Sequence, residues 1–139
     1  MLINFFKRHK GQTIRVFIIV LISVFMYLHS LSENKKLFKE GKYTFGIVTN
    51  IKSMKGGLIY YYDFEVKGIV YEGEMRSGRY KKIGDRCFVI FSSQDCTRNK
   101  MLLKLPLVPD SIKKAPFPPW DKLPIDVDKK ELIRAINGG

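Results

Sequence analysis

The feature that most constrains this chain is an uncharged apolar run over residues 16–28, V-F-I-I-V-L-I-S-V-F-M-Y-L, with Ser23 as its one small polar residue. As a helix this run covers about 20 Å, and residues 13–31 approach the roughly 30 Å of a bilayer core. The run lacks the polar stripe of a helix that lies on a soluble domain. We therefore predict a transmembrane anchor over residues 16–31, whose membrane-facing side chains are Val16, Phe17, Ile18, Ile19, Val20, Leu21, Ile22, Val24, Phe25 and Leu28.

A cleaved signal peptide is the alternative interpretation of the same run. Signal peptides also combine a basic start with an apolar stretch of this length, and Ser30 and Ser32 provide small residues near a cleavage point. The basic region over residues 1–15 is long, however, and no A-x-A motif follows it. These two features favour a retained anchor.

The direction of the anchor depends on its flanking charges. Each side carries four basic residues: Lys7, Arg8, Lys10 and Arg15 before the run, and Lys35, Lys36, Lys39 and Lys42 after it. The positive-inside rule therefore gives a tie. Because a short basic tail is the easier end to leave in the cytoplasm, we expect residues 1–15 to be cytoplasmic. The predicted location is a bacterial inner membrane, with the remaining chain in the periplasm.

After a polar stalk over residues 32–42, alternating apolar and polar residues predict a small β domain over residues 43–105. The pattern gives five antiparallel strands, over residues 43–53, 58–67, 69–76, 86–92 and 101–105. The fourth strand, which contains C-F-V-I-F, is predicted to be buried on both faces. On the first strand, one face is predicted to carry Tyr43, Phe45, Ile47 and Ile51. The fold class is mainly β, in the form of a small barrel or bent sheet.

The pairing of the second and third strands follows from a two-residue turn at Lys67-Gly68. With this turn the apolar residues of one strand face apolar or neutral residues of the other: Val66 faces Ile69, Phe64 faces Tyr71, Tyr62 faces Gly73 and Tyr60 faces Met75. A slip by one residue would reverse both faces, so the pattern fixes the register.

The last quarter of the chain is a Pro- and aromatic-rich tail over residues 106–127, followed by a short helix over residues 128–139. Asp128 with Glu131 predicts a capping box, and Gly138 is expected to end the helix. Two interpretations of the apolar residues stay open. They either cover the domain itself or form a docking surface for a partner, with the candidate docking residues Phe117, Trp120, Leu132 and Ile136.

Several short motifs accompany this pattern: Gly46-Ile47-Val48, V-Y-E-G over residues 70–73, I-G-D over residues 83–85, and P-P-W over residues 118–120. On these motifs the chain resembles small bacterial single-pass membrane proteins of unassigned function, in which a transmembrane helix precedes a compact β-barrel-like domain. The resemblance implies a fold and a location, and it implies no reaction.

Catalytic chemistry finds little support in the sequence. Both histidines, His9 and His29, lie in or beside the anchor, which excludes His-based nucleophilic or zinc sites from the β domain. We expect no catalytic residues, no metal site, no cofactor and no small-molecule substrate. One carboxylate pair, Asp63 opposite Glu72, is better explained as an exposed face than as an acid/base site.

The two cysteines leave their pairing open. Cys87 lies in a strand predicted to be buried, and Cys96 lies in a polar loop. In an oxidising compartment they could form a disulfide, and as unrelated thiols they would fit equally well.

The net charge of +12 favours an anionic partner. One loop interleaves basic residues with Tyr80, and its candidate contacts with an anionic partner are Arg76, Arg79, Lys81 and Lys82. A solvated turn is the simpler interpretation of this loop. Nucleic acid is not expected as the partner of a periplasmic domain.

Together these features predict a non-enzymatic, membrane-anchored interaction module, such as an accessory subunit of an envelope complex. Its expected partners are the lipid bilayer and another envelope protein. The alternative is a membrane-tethered β barrel that binds nucleic acid or anionic lipid through the basic loop.

Overall fold

The computed structural model describes the backbone of residues 2–78 and 80–137, and side chains from residue 11 onward. The chain divides into two compact units, one up to Glu33 and one from Asn34. Its elements are helix α1 (Leu2–Glu40), strands β1 (Lys42–Met54), β2 (Gly57–Val66), β3 (Ile69–Ser77), β4 (Arg86–Phe91) and β5 (Asn99–Met101), and helix α2 (Lys129–Ile136).

The first unit consists of α1 up to Glu33. Helix α1 contains a segment, Gly11–Glu40, with a mean hydropathy of 2.2 over its most apolar window, which is long and apolar enough to cross a membrane. Between residues 14 and 28 the large apolar side chains of this segment are exposed. The one small polar residue of the run 16–28 is satisfied within the helix, because the Ser23 hydroxyl donates a hydrogen bond to the Ile19 carbonyl at 2.9 Å. Such back-bonding removes most of the cost of placing a hydroxyl in lipid.

The second unit is a nearly closed, five-stranded antiparallel sheet, which confirms the predicted fold class. The strand order is β3-β2-β1-β4-β5. The register of β2 and β3 is also confirmed, with Val66 opposite Ile69 and Tyr60 opposite Met75. The turn adopts the positive φ angles that this hairpin needs, 51° at Lys67 and 80° at Gly68.

Strand β4 is buried on both faces, as predicted, because it separates two apolar clusters. The cluster inside the barrel receives Cys87, Val89 and Phe91, and the cluster on the outer face receives Phe88 and Ile90. The outer cluster is covered by the tail and by α2. A sheet of only five strands therefore gains a second core from the C-terminal third of the chain.

The predicted face of β1 is wrong beyond its first half. Tyr43 and Phe45 join the outer cluster, but Ile47 is exposed. The register then shifts between Val48 and Asn50, so that Ile51 packs against the cluster inside the barrel. A bulge adds one residue and thereby moves every later side chain to the opposite face.

The fifth strand and the second helix also differ from the prediction. Strand β5 is Asn99–Met101, and a turn follows it in which Leu102, Leu103 and Leu105 are buried and Lys104 is exposed. Helix α2 begins after Asp128, whose side chain makes no capping hydrogen bond, so the predicted capping box is not formed. Gly138, the predicted end of this helix, lies outside the described residues.

Candidate functional site

The basic loop predicted from the sequence forms one wall of an open groove at the β1–β2 hairpin end of the barrel. The groove has a volume of about 760 Å³ and is lined by Ile51, Ser53, Leu58, Tyr80, Lys81, Lys82 and Ile83. We call this surface the basic groove. Its apolar wall was not predicted, because Ile51 faces this way only after the β1 bulge.

One side of the loop is held by a buried tyrosine. The Tyr60 side chain is fully buried, and its hydroxyl donates a hydrogen bond to the Gly78 carbonyl at 2.8 Å. The same oxygen accepts from the Tyr80 N–H at 3.0 Å. A rigid core residue therefore fixes the backbone that carries Tyr80 and Lys81.

The other side of the loop is tied to β1. The Gly84 N–H donates to the Val48 carbonyl at 2.8 Å, and the Val48 N–H donates to the Asp85 carbonyl at 3.0 Å. The Asp85 carboxylate accepts from the Lys82 N–H at 2.8 Å. Gly84 has a φ of 89°, which a side chain at this position would strain. Because both ends of the loop are fixed, the groove is preformed.

Two of the four predicted basic residues line this groove, and a third, Arg76, is not part of its lining. Lys81 and Lys82 line it, and Arg76 lies beside Met54 with its guanidinium 4.0 Å from the thioether sulfur. Lys104, which was not among the predicted residues, lies 6.0 Å from the centre of the Tyr80 ring. Arg79, the remaining predicted residue, lies outside the described residues.

Three of the four candidate docking residues are used by the domain itself. Trp120 exchanges two backbone hydrogen bonds with Tyr43, at 2.8 and 2.9 Å, and its ring packs on the outer cluster. Ile136 is fully buried and Leu132 packs against the same cluster, so these residues contribute to the core of the domain itself. Phe117 is 76% exposed, so it does not cover the domain, and its part in docking stays a prediction.

A second cleft of about 630 Å³ lies at the end of the barrel where β1 begins. Phe91 and Val66 belong to its apolar lining, and Pro118, Pro119 and Cys96 border it. Its rim carries both signs of charge, because Lys42 forms an ion pair with Asp121. This cleft therefore lacks the charge preference of the basic groove.

The carboxylate pair lies where the sequence placed it. Asp63 is opposite Glu72 on the outer face of the β2–β3 hairpin, where Glu72 is exposed. Among the described residues, no group of three or more His, Cys, Asp or Glu is placed to hold a metal ion.

Both cysteines are free thiols in the structure, so the disulfide alternative is not realised there. Cys87 is buried, and burial raises the pKa of its thiol to about 12, although the positive charge of Lys81 acts in the opposite direction. Cys96 is partly exposed. A thiol whose pKa is that high is almost entirely protonated and unreactive near neutral pH.

We therefore expect unequal labelling of the two thiols. At pH 8 the folded chain in detergent should take up one equivalent of maleimide, at Cys96, and two equivalents after denaturation. Intact mass spectrometry of wild type and of Cys96→Ser measures this directly. Fast labelling of Cys87 in the folded chain would contradict its burial.

The role of Tyr60 is tested by removing its hydroxyl. Tyr60→Phe leaves the Gly78 carbonyl and the Tyr80 N–H without their partner, which should lower the free energy of unfolding by about 1–2 kcal/mol. It should also speed hydrogen exchange at the Tyr80 amide. Tyr61→Phe, on the opposite face of the same strand, is the matched control and should change neither quantity.

Comparison with protein-family models, with curated proteins and with solved structures found no match to this chain. The N-terminal apolar helix and the nearly closed five-stranded sheet agree with the resemblance to small bacterial membrane proteins, which otherwise stays a prediction.

Proposed function

We propose that this protein is a non-enzymatic, membrane-anchored interaction module that binds another envelope protein at a bacterial inner membrane. The observation that carries the proposal is the preformed basic groove. The domain covers its outer cluster with Trp120, Leu132 and Ile136, yet leaves Tyr80 and Ile83 exposed beside two lysines. Exposed apolar side chains on a fixed backbone are typical of a docking surface.

The proposal has a direct test. The full-length tagged chain is purified from its native membranes in a mild detergent and analysed by mass spectrometry and native mass measurement. A partner in fixed ratio to the chain is the expected result. A chain that runs alone as a monomer under every mild condition would refute the proposal.

The domain is proposed to face the periplasm, and Cys96 gives a probe of this. A membrane-impermeant maleimide added from outside spheroplasts should label Cys96 of the full chain. Labelling only after the membrane is broken would place the domain in the cytoplasm.

A second candidate function is nucleic-acid binding through the same groove, in a cytoplasm-facing domain. It is favoured by Tyr80, which is 50% exposed and has Lys104 6.0 Å from its ring centre. Basic residues around an exposed aromatic ring are a common arrangement for binding single strands.

A further inference from the structure

We propose that the basic groove binds an acidic, amphipathic segment of the partner protein. This inference rests on the proposed function and names the chemistry of its partner. It is carried by the groove's apolar floor and its cationic rim, which together require a ligand with both characters.

The apolar requirement comes from three aliphatic side chains and one aromatic ring. Ile51, Leu58, Ile83 and Tyr80 line a groove of about 760 Å³, a size that admits a few side chains of a bound segment. Ile83 is 61% exposed and would lose this exposure on binding. Burial of aliphatic side chains from the partner against this floor supplies the non-specific part of the affinity.

The charge requirement comes from the rim. Lys81 and Lys82 line the groove, and the Lys104 ammonium lies 6.0 Å from the centre of the Tyr80 ring. Asp85 is the acidic side chain of this loop, and its carboxylate already accepts a hydrogen bond from the Lys82 backbone. Carboxylates of a bound segment would complement these cations, which raises both the association rate and the specificity.

Other occupants fit less well. Single-stranded nucleic acid needs several aromatic platforms, whereas this floor is mainly aliphatic with one exposed ring. A second copy of the same groove would place lysines against lysines.

The fixed loop makes such binding efficient. Tyr60 holds Gly78 and Tyr80, and Val48 holds residues 84–85, so the ligand need not order the groove. A preformed site loses less conformational entropy on binding than a mobile loop does.

The test uses the full chain in neutral-lipid nanodiscs and a fluorescent synthetic peptide of about four helical turns, with leucines on one face and glutamates on the other. Binding is measured by fluorescence anisotropy. The double variant K81E/K82E should bind roughly tenfold or more weakly. The matched control K113E/K114E makes the same change in net charge on an exposed lysine pair of the tail and should stay within about twofold of wild type.

Two further probes separate the alternatives. Replacing the peptide's glutamates by glutamines should weaken binding by a similar factor, and an oligothymidine should bind more weakly than the acidic peptide. Equal losses in the two double variants, or tighter binding of the oligonucleotide, would overturn the inference. If the chain co-purifies with a partner that K81E/K82E still retains, the groove is not the site, although the proposed function stands. If no partner co-purifies, the proposed function itself fails.

Discussion

Replacing Leu21 and Val24 by arginine is expected to remove this chain from the membrane fraction. Both residues lie in the middle of the apolar run and on one face of α1, since they are three positions apart. Each arginine near the middle of a span costs about 3 kcal/mol, and each lost aliphatic side chain removes about 0.5 kcal/mol more. The pair should therefore cost about 7 kcal/mol, which is enough to prevent stable insertion.

The measurement is fractionation of cells that express the full chain, followed by extraction of the membranes with high salt. The control is S30R/S32R, which introduces the same charges at the end of the run, where arginine can extend to the headgroups. The control should stay in the membrane fraction. Retention of the Leu21 and Val24 double variant in the membrane fraction at wild-type level would contradict the anchor. Wild-type chain that is shortened and released from the membrane would also contradict it, because that result indicates a cleaved signal peptide.

Replacing Gly73 by valine should have the second largest effect, on folding. Gly73 lies opposite Tyr62 at the seam between β3 and β5, where the Tyr62 ring and the Asn99 side chain occupy the space a Cβ would need. The Tyr62 hydroxyl donates to the Asn99 Oδ1 at 2.5 Å, and Asn99 in turn donates to the Cys96 carbonyl at 3.0 Å. Valine would displace this buried network.

We expect Gly73→Val to lower the free energy of unfolding by about 3 kcal/mol, near the upper end of what overpacking costs. Glu74→Val is the control, because it adds the same side chain one residue later on the exposed face. Chemical denaturation of the two variants in the same detergent measures the difference. Equal denaturation midpoints for the two variants would show that the packing between β3 and β5 does not require a glycine at position 73.

The sequence predicted some strand pairings better than others for a physical reason. On β2 and β3, both faces are patterned, so one register satisfies Phe64 with Tyr71 and Val66 with Ile69 and every other register fails. The bulge between Val48 and Asn50 could not be predicted from the sequence pattern. Ile47 and Ile51 are apolar residues that could lie on either face of β1 as long as the pairing with β2 is unknown. The mostly apolar stretch over residues 101–105, which Lys104 interrupts, shows the same ambiguity, since a short apolar stretch suits a buried turn as well as a strand.

The site was only half predictable from the chain. Charge and the exposed Tyr80 marked the basic loop, but its support by Tyr60 is a contact between residues 18 to 20 positions apart. Such contacts depend on the closed barrel. In the same way, composition identified Phe117 and Trp120 as a pair of candidate docking residues. In the structure Trp120 forms an antiparallel β-bridge with Tyr43, while Phe117 is exposed.

Site-specific photo-crosslinking in cells tests the central claim, that this anchored domain binds a partner through the basic groove. A photoreactive amino acid replaces Ile83 in the groove or, as a control, Leu107 in the tail, which is 48% exposed. We expect one discrete protein adduct from position 83, weakened in the K81E/K82E background and missing from position 107. No adduct at position 83, or equal adducts from both positions, would contradict it.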